Sequence, residues 1–239
     1  YNLASELALQ GTVSNNEEGV IIYITGIEDS VQKFYKKLLQ FPPSVSQIKN
    51  STIIQVEFKD FTDFKIILPA TYGNLNLPLT PDFAICEDCK KDLENSNNRR
   101  YNYAFTTCVN CGPRWAITKT FPFERSNTSM NAFPMCDDCK DEYTNPLNRR
   151  FHSQTNTCST CGIELILINS KGEIIETSKE NIFKIVTNLL LKGNIIALKN
   201  TSGYLLCCNA EDETVTSKLR TLKNRPNKPF AVLFPSLDC

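Results

Sequence analysis

The spacing of apolar and polar positions divides the chain into three stretches. In the first, Leu3, Leu7 and Leu9 recur at roughly helical spacing over residues 1–10, and Gly11 is a plausible helix stop. A short strand is expected over 12–15, a polar turn over 16–19 and a buried β-branched strand over 20–25. Val31, Phe34, Tyr35, Leu38 and Leu39 share one face of a helix over 30–39, with Asp29 or Ser30 as N-cap and Pro42-Pro43 as its stop. Residues 45–48, 53–58 and 64–68 supply further strands. The order helix-strand-strand-helix-strand is a ferredoxin-like layout lacking its first strand. Residues 74–81 form a linker punctuated by prolines. Periodicity then disappears until 164–169 and 173–177, two strands of a hairpin turning at 170–172. Ile182, Ile185, Val186, Leu189 and Leu190 mark an amphipathic helix over 179–192, capped by Gly193. Strands over 195–198 and 204–208, a helix over 211–222 and the proline-rich basic run at 223–234 complete the chain.

The aperiodic middle is organised by cysteine. It carries CEDC (Cys86, Cys89), CVNC (Cys108, Cys111), CDDC (Cys136, Cys139) and CSTC (Cys158, Cys161). Eighteen residues separate the first pair from the second and the third from the fourth, with 24 between Cys111 and Cys136. A shift of 50 lays Cys86 on Cys136, Arg99-Arg100-Tyr101 on Arg149-Arg150-Phe151, and Cys111-Gly112 on Cys161-Gly162. One unit has been duplicated, and each copy has zinc-site spacing. Zinc takes four borderline or soft ligands in a tetrahedron, and two CxxC knuckles supply four thiolates. With all four positions taken by protein, such a site is structural. Each repeat has a local core too small to stand alone, so metal supplies folding free energy, roughly 10–16 kcal/mol in zinc-finger peptides. Gly112 and Gly162 are expected at positive φ, and Phe121, Phe123 and Phe133 are expected to anchor the irregular segment between the repeats. His152, the only histidine, has Asn102 as its counterpart and reads as a loop or packing residue. The arginine pairs 99–100 and 149–150 read as salt-bridge partners of nearby carboxylates, repeated by duplication.

Composition narrows the class. The 239 residues carry 26 basic and 26 acidic side chains, so no global electrostatic case exists for nucleic acid or membrane. No apolar run is long enough for a membrane helix, and no signal peptide is visible. Eleven cysteines, eight of them in four CxxC pairs, fit reduced metal-binding thiols and a cytoplasmic location better than a secreted disulfide framework. The chain begins at Tyr1 rather than Met and stops at Cys239, which reads as an interior fragment.

Two resemblances add chemistry. The stretch GTVSNNEEGVIIYITG, residues 11–26, resembles the acylphosphatase domain, and Asn15 falls on that family's water-orienting asparagine. The plain alternative for Asn15 is a turn asparagine. The family's phosphate-cradling loop would lie upstream of Tyr1, so this chain is not expected to be an acylphosphatase alone. Further on, a strand ending in Lys199, a turn, a strand, a helix and then KNRPNKPF resemble the start of a YrdC-like domain. That resemblance implies that Lys199, Lys223, Arg225 and Lys228 bind nucleotide phosphates or a carbamate group, where fixed cations offset phosphate charge. The alternative is a basic linker. The turn at Asn200-Thr201-Ser202-Gly203 has fewer glycines than the family's, Asn209 stands where the family often has Asp, and most of the domain would lie beyond Cys239.

The succession of these modules, the 18–24–18 cysteine spacing and the FPMC lead-in to Cys136 resemble the HypF-type carbamoyltransferases of nickel-iron hydrogenase maturation. The resemblance implies an α+β multidomain chain: a ferredoxin-like acylphosphatase unit at 1–75, duplicated four-cysteine zinc fingers at 76–165 and a partial YrdC-like α/β domain at 166–239. It implies two structural zinc ions, with ATP and magnesium used by the full-length protein. It also implies a relay: carbamoyl phosphate is hydrolysed, the carbamate is adenylated, and the carbamoyl group passes to a C-terminal cysteine of a partner maturation protein. Linking the sites protects labile carbamate, and the fragment alone is expected to be inactive. Two other readings stand beside this one. A non-enzymatic zinc-ribbon adaptor or RNA binder would show salt-dependent RNA affinity, against which the zero net charge argues. A dithiol redox protein would fold without zinc.

Overall fold

The computed structural model describes residues 1–16, 19–43, 45–67, 80–201, 203–234 and 236. Residues 17 and 18 of the expected first turn, Leu68, linker residues 74–79, Ser202 and Cys239 lie outside the described residues. The chain divides into two compact units, Tyr1–Ile163 and Glu164–Cys239.

The first unit opens with α1 (Asn2–Glu6), β1 (Gln10–Asn15), β2 (Val20–Thr25), α2 (Glu28–Gln40) and β3 (Phe64–Ile66). The first helix is shorter than its leucine spacing suggests: Ala8 has φ 52° and the chain turns there into β1. β1 and β2 form an antiparallel hairpin in register from Gln10 opposite Thr25 to Asn15 opposite Val20. β3 joins the other side of β1 in parallel, giving the order β2-β1-β3. One face of α2 buries Phe34 against Ala4, Leu9 and Phe64, with Val13, Ile22, Ile24, Val31 and Leu38 around them. That helix starts two residues earlier than the apolar pattern indicates. Its N-cap is Ile27, and Glu28 and Asp29 fill the first turn, where carboxylates favour the exposed N–H groups. Residues 45–48 and 53–58 form no strand among the described residues. Ile54 and Phe58 are exposed there, so β-branched composition without an opposing strand leaves them irregular.

The rest of this unit is the cysteine region. Two short helices, α3 (Glu87–Glu94) and α4 (Asp137–Thr144), begin at the first cysteine of their repeats, with Cys86 and Cys136 as N-caps. Three 3-10 turns, Trp115–Ile117, Arg125–Asn127 and Ser129–Ala132, occupy the segment between the repeats. Of the three aromatic anchors expected there, Phe121 is 55% exposed, whereas Phe123 and Phe133 are half-buried and Arg114 lies over the Phe123 ring. Buried Thr128 and Met130 and the two arginines 114 and 125 hold it as well. Arg114 donates to the carbonyls of Cys108, Val109, Cys111, Gly112 and Pro113. Arg125 donates to those of Gln154, Asn156 and Phe133.

In the second unit, β4 (Leu167–Ile168) and β5 (Ile174–Glu176) form a shorter hairpin than the sequence suggests. α5 (Lys179–Leu191) is followed by Gly193 at φ 75°, the left-handed position that ends the helix. β6 (Ile196–Asn200) and β7 (Gly203–Cys207) pair antiparallel. Asp212 caps α6 (Glu213–Leu222), accepting from the N–H groups of Thr214 and Val215. No helix among the described residues is long and apolar enough to cross a membrane.

Truncating the central side chain of α2 tests this account of the first core. Phe34→Ala is expected to cost about 3–5 kcal/mol, measured as a shifted denaturant midpoint by circular dichroism, while Phe41→Ala, at an exposed position, leaves it within about 0.5 kcal/mol.

Candidate metal centres and a basic loop

Each four-cysteine set closes into a cage. The helix of each repeat presents two cysteines three residues apart, hence on one face: Cys86 and Cys89 on α3, Cys136 and Cys139 on α4. The second knuckle of each repeat is a tight turn, with the Cys111 N–H donating to Cys108 O at 3.4 Å and the Cys161 N–H to Cys158 O at 3.2 Å. The four sulfurs of each set lie within 4.8 Å of one another. Neighbouring Sγ–Sγ distances are 3.6 Å (Cys86–Cys108), 3.9 Å (Cys108–Cys111), 3.8 Å (Cys136–Cys158), 3.8 Å (Cys158–Cys161) and 3.6 Å (Cys139–Cys161). A tetrahedron of thiolates at about 2.3 Å from a central ion has edges of about 3.8 Å. All eight sulfurs are those of free cysteines. The two sets therefore have the shape, donor chemistry and size of two tetrahedral metal sites.

The protein's own groups split the thiols: hydrogen bonds with Cys108 and then Cys111 push Cys89 up, and burial pushes Cys136 and Cys139 up, while two others are held down. Thiol hydrogen bonds from Cys108 and then Cys89 hold Cys111 down to about 3. Burial pushes Cys158 up, but the backbone N–H groups of Thr160 and Cys161 outweigh it and bring it to about 6.

The glycines after the second knuckles serve different ends. Gly112 has φ 89° and exchanges backbone hydrogen bonds with Phe83, as expected of a left-handed turn residue. Gly162 does not have positive φ. Its reason is space: a Cβ there would stand 1.9 Å from the Tyr103 hydroxyl, which bonds Thr157 and accepts from the Ile163 N–H. His152 and Asn102 share a left-handed backbone, φ 51° and 53°, and the same bond back to the helix, to Tyr143 O and Leu93 O. The imidazole stacks on Tyr143, its ring centroid 5.1 Å away. It lies outside both cages.

The arginine pairs were expected beside carboxylates. Those carboxylates are in the other repeat. Arg99 and Arg100 bind Glu142 at 2.7 and 2.6 Å, and Arg149 and Arg150 bind Asp92. The backbone exchange is matched: Arg100 Nε donates to Thr157 O and Arg150 Nε to Thr107 O. Asn98 and Asn148 present the pairs, each accepting the N–H of its Arg100 or Arg150 at 2.9 Å. Burial pushes the Glu142 carboxyl up, but Arg100 and then Arg99 outweigh it and hold it at about 2. Asp92 is likewise below the usual range, with Arg150 and Arg149 overcoming its burial.

The remaining sequence-predicted residues are placed separately. Asn15 ends β1, exposed, opposite Val20. The bond that closes the following turn belongs to Asn16, whose Oδ1 accepts from the Gly19 N–H at 2.7 Å. Lys199 lies exposed on β6 with Nζ 5.7 Å from the Tyr204 ring centroid. Lys223 is the C-cap of α6. Arg225 and Lys228 belong to a loop gathered by Arg220, which donates to the carbonyls of Arg225, Pro226 and Lys228 and stacks on Phe230. Arg225 stacks on the same ring and donates to Pro229 O. The loop and the β6 lysine are thus held by separate devices. Arg220 was missed by sequence reasoning because it is a helix residue outside the basic run.

Comparison with known proteins matches each module. The acylphosphatase family matches residues 1–66, the HypF finger family matches 85–118 and again 135–168, and the Sua5/YciO/YrdC family, described as telomere recombination, matches 188–239. The chain is 43% identical over 237 residues to the carbamoyltransferase HypF of Synechocystis sp., covering 99% of this chain and 31% of that protein. It is 41% identical over 235 residues to the probable carbamoyltransferase HypF of Methanocaldococcus jannaschii, covering 98% and 30%. A crystal structure of full-length HypF in the phosphate- and nucleotide-bound form superposes with TM-score 0.83 at 35% identity, over 100% of this chain and 31% of that one. The T. kodakarensis HypF crystal structure gives 0.73 at 35% identity, over 97% and 29%. The chain thus spans about a third of the length of the relatives it matches. The expected architecture holds: an acylphosphatase-like unit, two four-cysteine fingers and the start of a YrdC-like domain.

The crossed ion pairs carry a stability prediction. Glu142→Gln leaves Arg100, 2% exposed, without its anion, and is expected to cost about 3–5 kcal/mol in denaturant titrations. Because the folded-state value of Glu142 is depressed to about 2, its contribution is complete above the ordinary carboxylate range and drains as pH falls from there through about 2. The gap between wild type and variant should therefore be equal at about pH 7 and about pH 5 and shrink only below about pH 4.3.

Proposed function

The chain belongs to the HypF family, and on that premise we propose that it is the acylphosphatase, zinc-finger and early YrdC-like part of an ATP-dependent carbamoyltransferase of hydrogenase maturation. The observation that carries this reading is the order of modules around the twin cysteine cages, matched over nearly the whole chain by proteins of that name. The domain limits are 1–75, 76–165 and 166–239. The protein works in the cytoplasm, where its thiols stay reduced.

The roles follow from chemistry. Asn15 orients the water that attacks carbamoyl phosphate. Its side chain is exposed, and the adjacent turn is closed by Asn16, which leaves the Asn15 amide available. Lys199, Lys223, Arg225 and Lys228 hold nucleotide phosphates and carbamate, lowering the cost of concentrating negative charge when the carbamoyl-adenylate forms. Magnesium accompanies the ATP. The acceptor is the thiol of a C-terminal cysteine on a partner maturation protein, and the product serves cyanide-ligand synthesis. Cys86, Cys89, Cys108 and Cys111 hold one zinc ion, and Cys136, Cys139, Cys158 and Cys161 the other. Zinc there supplies cross-linking rather than reactivity, because protein sulfur fills all four positions.

Two measurements test the reading. Elemental analysis should give about two zinc per chain, and chelation should abolish the fold of residues 82–165 first; a folded, zinc-free protein would refute the structural role. For the reaction, the protein extended to its relatives' length should make AMP from ATP only with carbamoyl phosphate present, and transfer labelled carbamoyl to an acceptor ending in cysteine. Asn15→Ala should lower that rate by about 100-fold or more, and the 239-residue chain alone should show no turnover. Full activity in the Asn15 variant would remove that residue from the mechanism, and no carbamoyl-dependent AMP would remove the function.

A further inference from the structure

The arginine pairs do more than bind carboxylates. Arg149, in the second repeat, points Nη1 at Cys89 Sγ of the first cage, 3.0 Å away. Arg99, in the first repeat, points both terminal nitrogens at Cys139 Sγ of the second cage, at 3.2 and 3.3 Å, with Cys136 Sγ at 4.0 Å from Nη1. Arg100 adds a contact to Cys139 Sγ at 3.6 Å. Positions 99 and 149, and 89 and 139, are equivalent under the shift of 50. Each repeat therefore reaches into the other's cage in the same way, a two-fold exchange of one contact.

The receiving ends match as well. Asp92 stands three residues after Cys89 on α3, and Glu142 three after Cys139 on α4. Sulfur and carboxylate lie on one helical face and together receive one incoming guanidinium, Arg149 on the first repeat and Arg99 on the second. The arginine is planar and carries several fixed donors, so it can serve both acceptors at once.

Four thiolates around a divalent cation leave an excess of two negative charges. Cys89 and Cys139 are fully buried, so water cannot offset the charge on those sulfurs. A charge-assisted N–H···S bond can. We infer that Arg149 and Arg99 are outer-shell ligands supplied in trans, each stabilising the metal cage of the opposite repeat, so that the two cages fill and empty as one cooperative pair. Metal in the first cage fixes Cys89, α3 and Asp92. Those groups hold Arg149 and Arg150, and Arg150 fixes the loop of the second repeat that leads to Cys158. The same path runs back through Arg99, Arg100 and Glu142. Coupling of this kind is reciprocal by linkage.

The inference rests on the reading of both clusters as metal sites. Its test is cadmium-113 NMR on the protein loaded with two cadmium ions, each resonance assigned by the Cys86→Ser and Cys136→Ser variants. Arg149→Gln is expected to move the resonance of the first cage, 60 residues away in sequence at Cys89, and to leave that of the second near its place. Arg99→Gln should do the reverse. Each variant should lower metal affinity at the opposite cage by about 10–100-fold. Arg149→Lys keeps the charge without the fork and should recover part of that loss; it also serves as the readout if Arg149→Gln does not fold. Chelator should strip the wild type in one phase and the Arg99→Gln, Arg149→Gln double variant in two. Shifts confined to the variant's own repeat, equal shifts at both cages, no shift, or two-phase release from the wild type would each overturn the inference. A protein that takes up no metal overturns the metal reading beneath it instead.

Discussion

The cysteine region depends on four arginines crossing between two copies of one motif. Its interior offers little hydrophobic drive: Arg100, Thr106, Ser153, Thr155, Asn156 and Thr157 are buried beside the cysteines. Burying a guanidinium is costly unless a charge and hydrogen bonds receive it. Arg100 has both, binding Glu142 through two nitrogens, Thr157 O through Nε and Asn156 Oδ1 through Nη2. Every one of these acceptors lies in the other repeat. Although Arg150 also comes within 3.8 Å of Glu142 in its own repeat, its side-chain hydrogen bonds too go across, to Asp92 and Thr107 O. A lone repeat would hold a cage and an unpaired buried cation. The pair of repeats is the smallest unit in which the polar accounts close.

Duplication explains this economy. A motif that carries both a donor, the arginine pair, and a receptor, a cysteine followed three residues later by a carboxylate, complements itself in a two-fold arrangement. The left-handed backbone at Asn102 and His152 belongs to the same loop that presents the arginines, so the position requires a residue tolerant of that conformation. The lone histidine stands where its counterpart is asparagine, and both belong to the few non-glycine residues enriched in this region. Its ring packs on Tyr143 and contributes no ligand to the cages.

Much of this was legible in the sequence. Cysteine spacing identified both cages because ligand geometry fixes spacing directly. The apolar stripe of α2 located its buried face, and Gly193 marked the end of α5, because these signals act within one or two turns of backbone. The misses share a cause. Residues 53–58 have strand composition, but a strand needs a partner that composition does not name. Gly162 is required by the Tyr103 hydroxyl, 59 positions earlier in the chain. The arginine pairs have acidic residues close by in sequence, including Glu94 and Asp92, yet Arg99 and Arg100 bind across the repeats. Partner choice is a tertiary fact. The one clue was that Cys-x-x-Asp at 89–92 and Cys-x-x-Glu at 139–142 fall on each other under the same shift as the arginines.

Closed cages also bear on where the proposed chemistry would lie. A metal held by four protein sulfurs keeps no position for water or substrate, and the surrounding arginines are committed to sulfur, carboxylate and carbonyl acceptors. The groups left with unspent capacity are at the margins of the two units: Asn15 at the exposed end of β1, and Lys199, Lys223 and Lys228 with their ammonium groups on the surface. Arg225 is different, being stacked on Phe230 and bonded to Pro229 O. Its Nε, buried and without a hydrogen-bond partner among the described residues, keeps one donor for the anion proposed for this loop. Anion recognition in that loop would then combine the exposed lysines with the free Nε of Arg225, while Arg220 sets the backbone from which they reach.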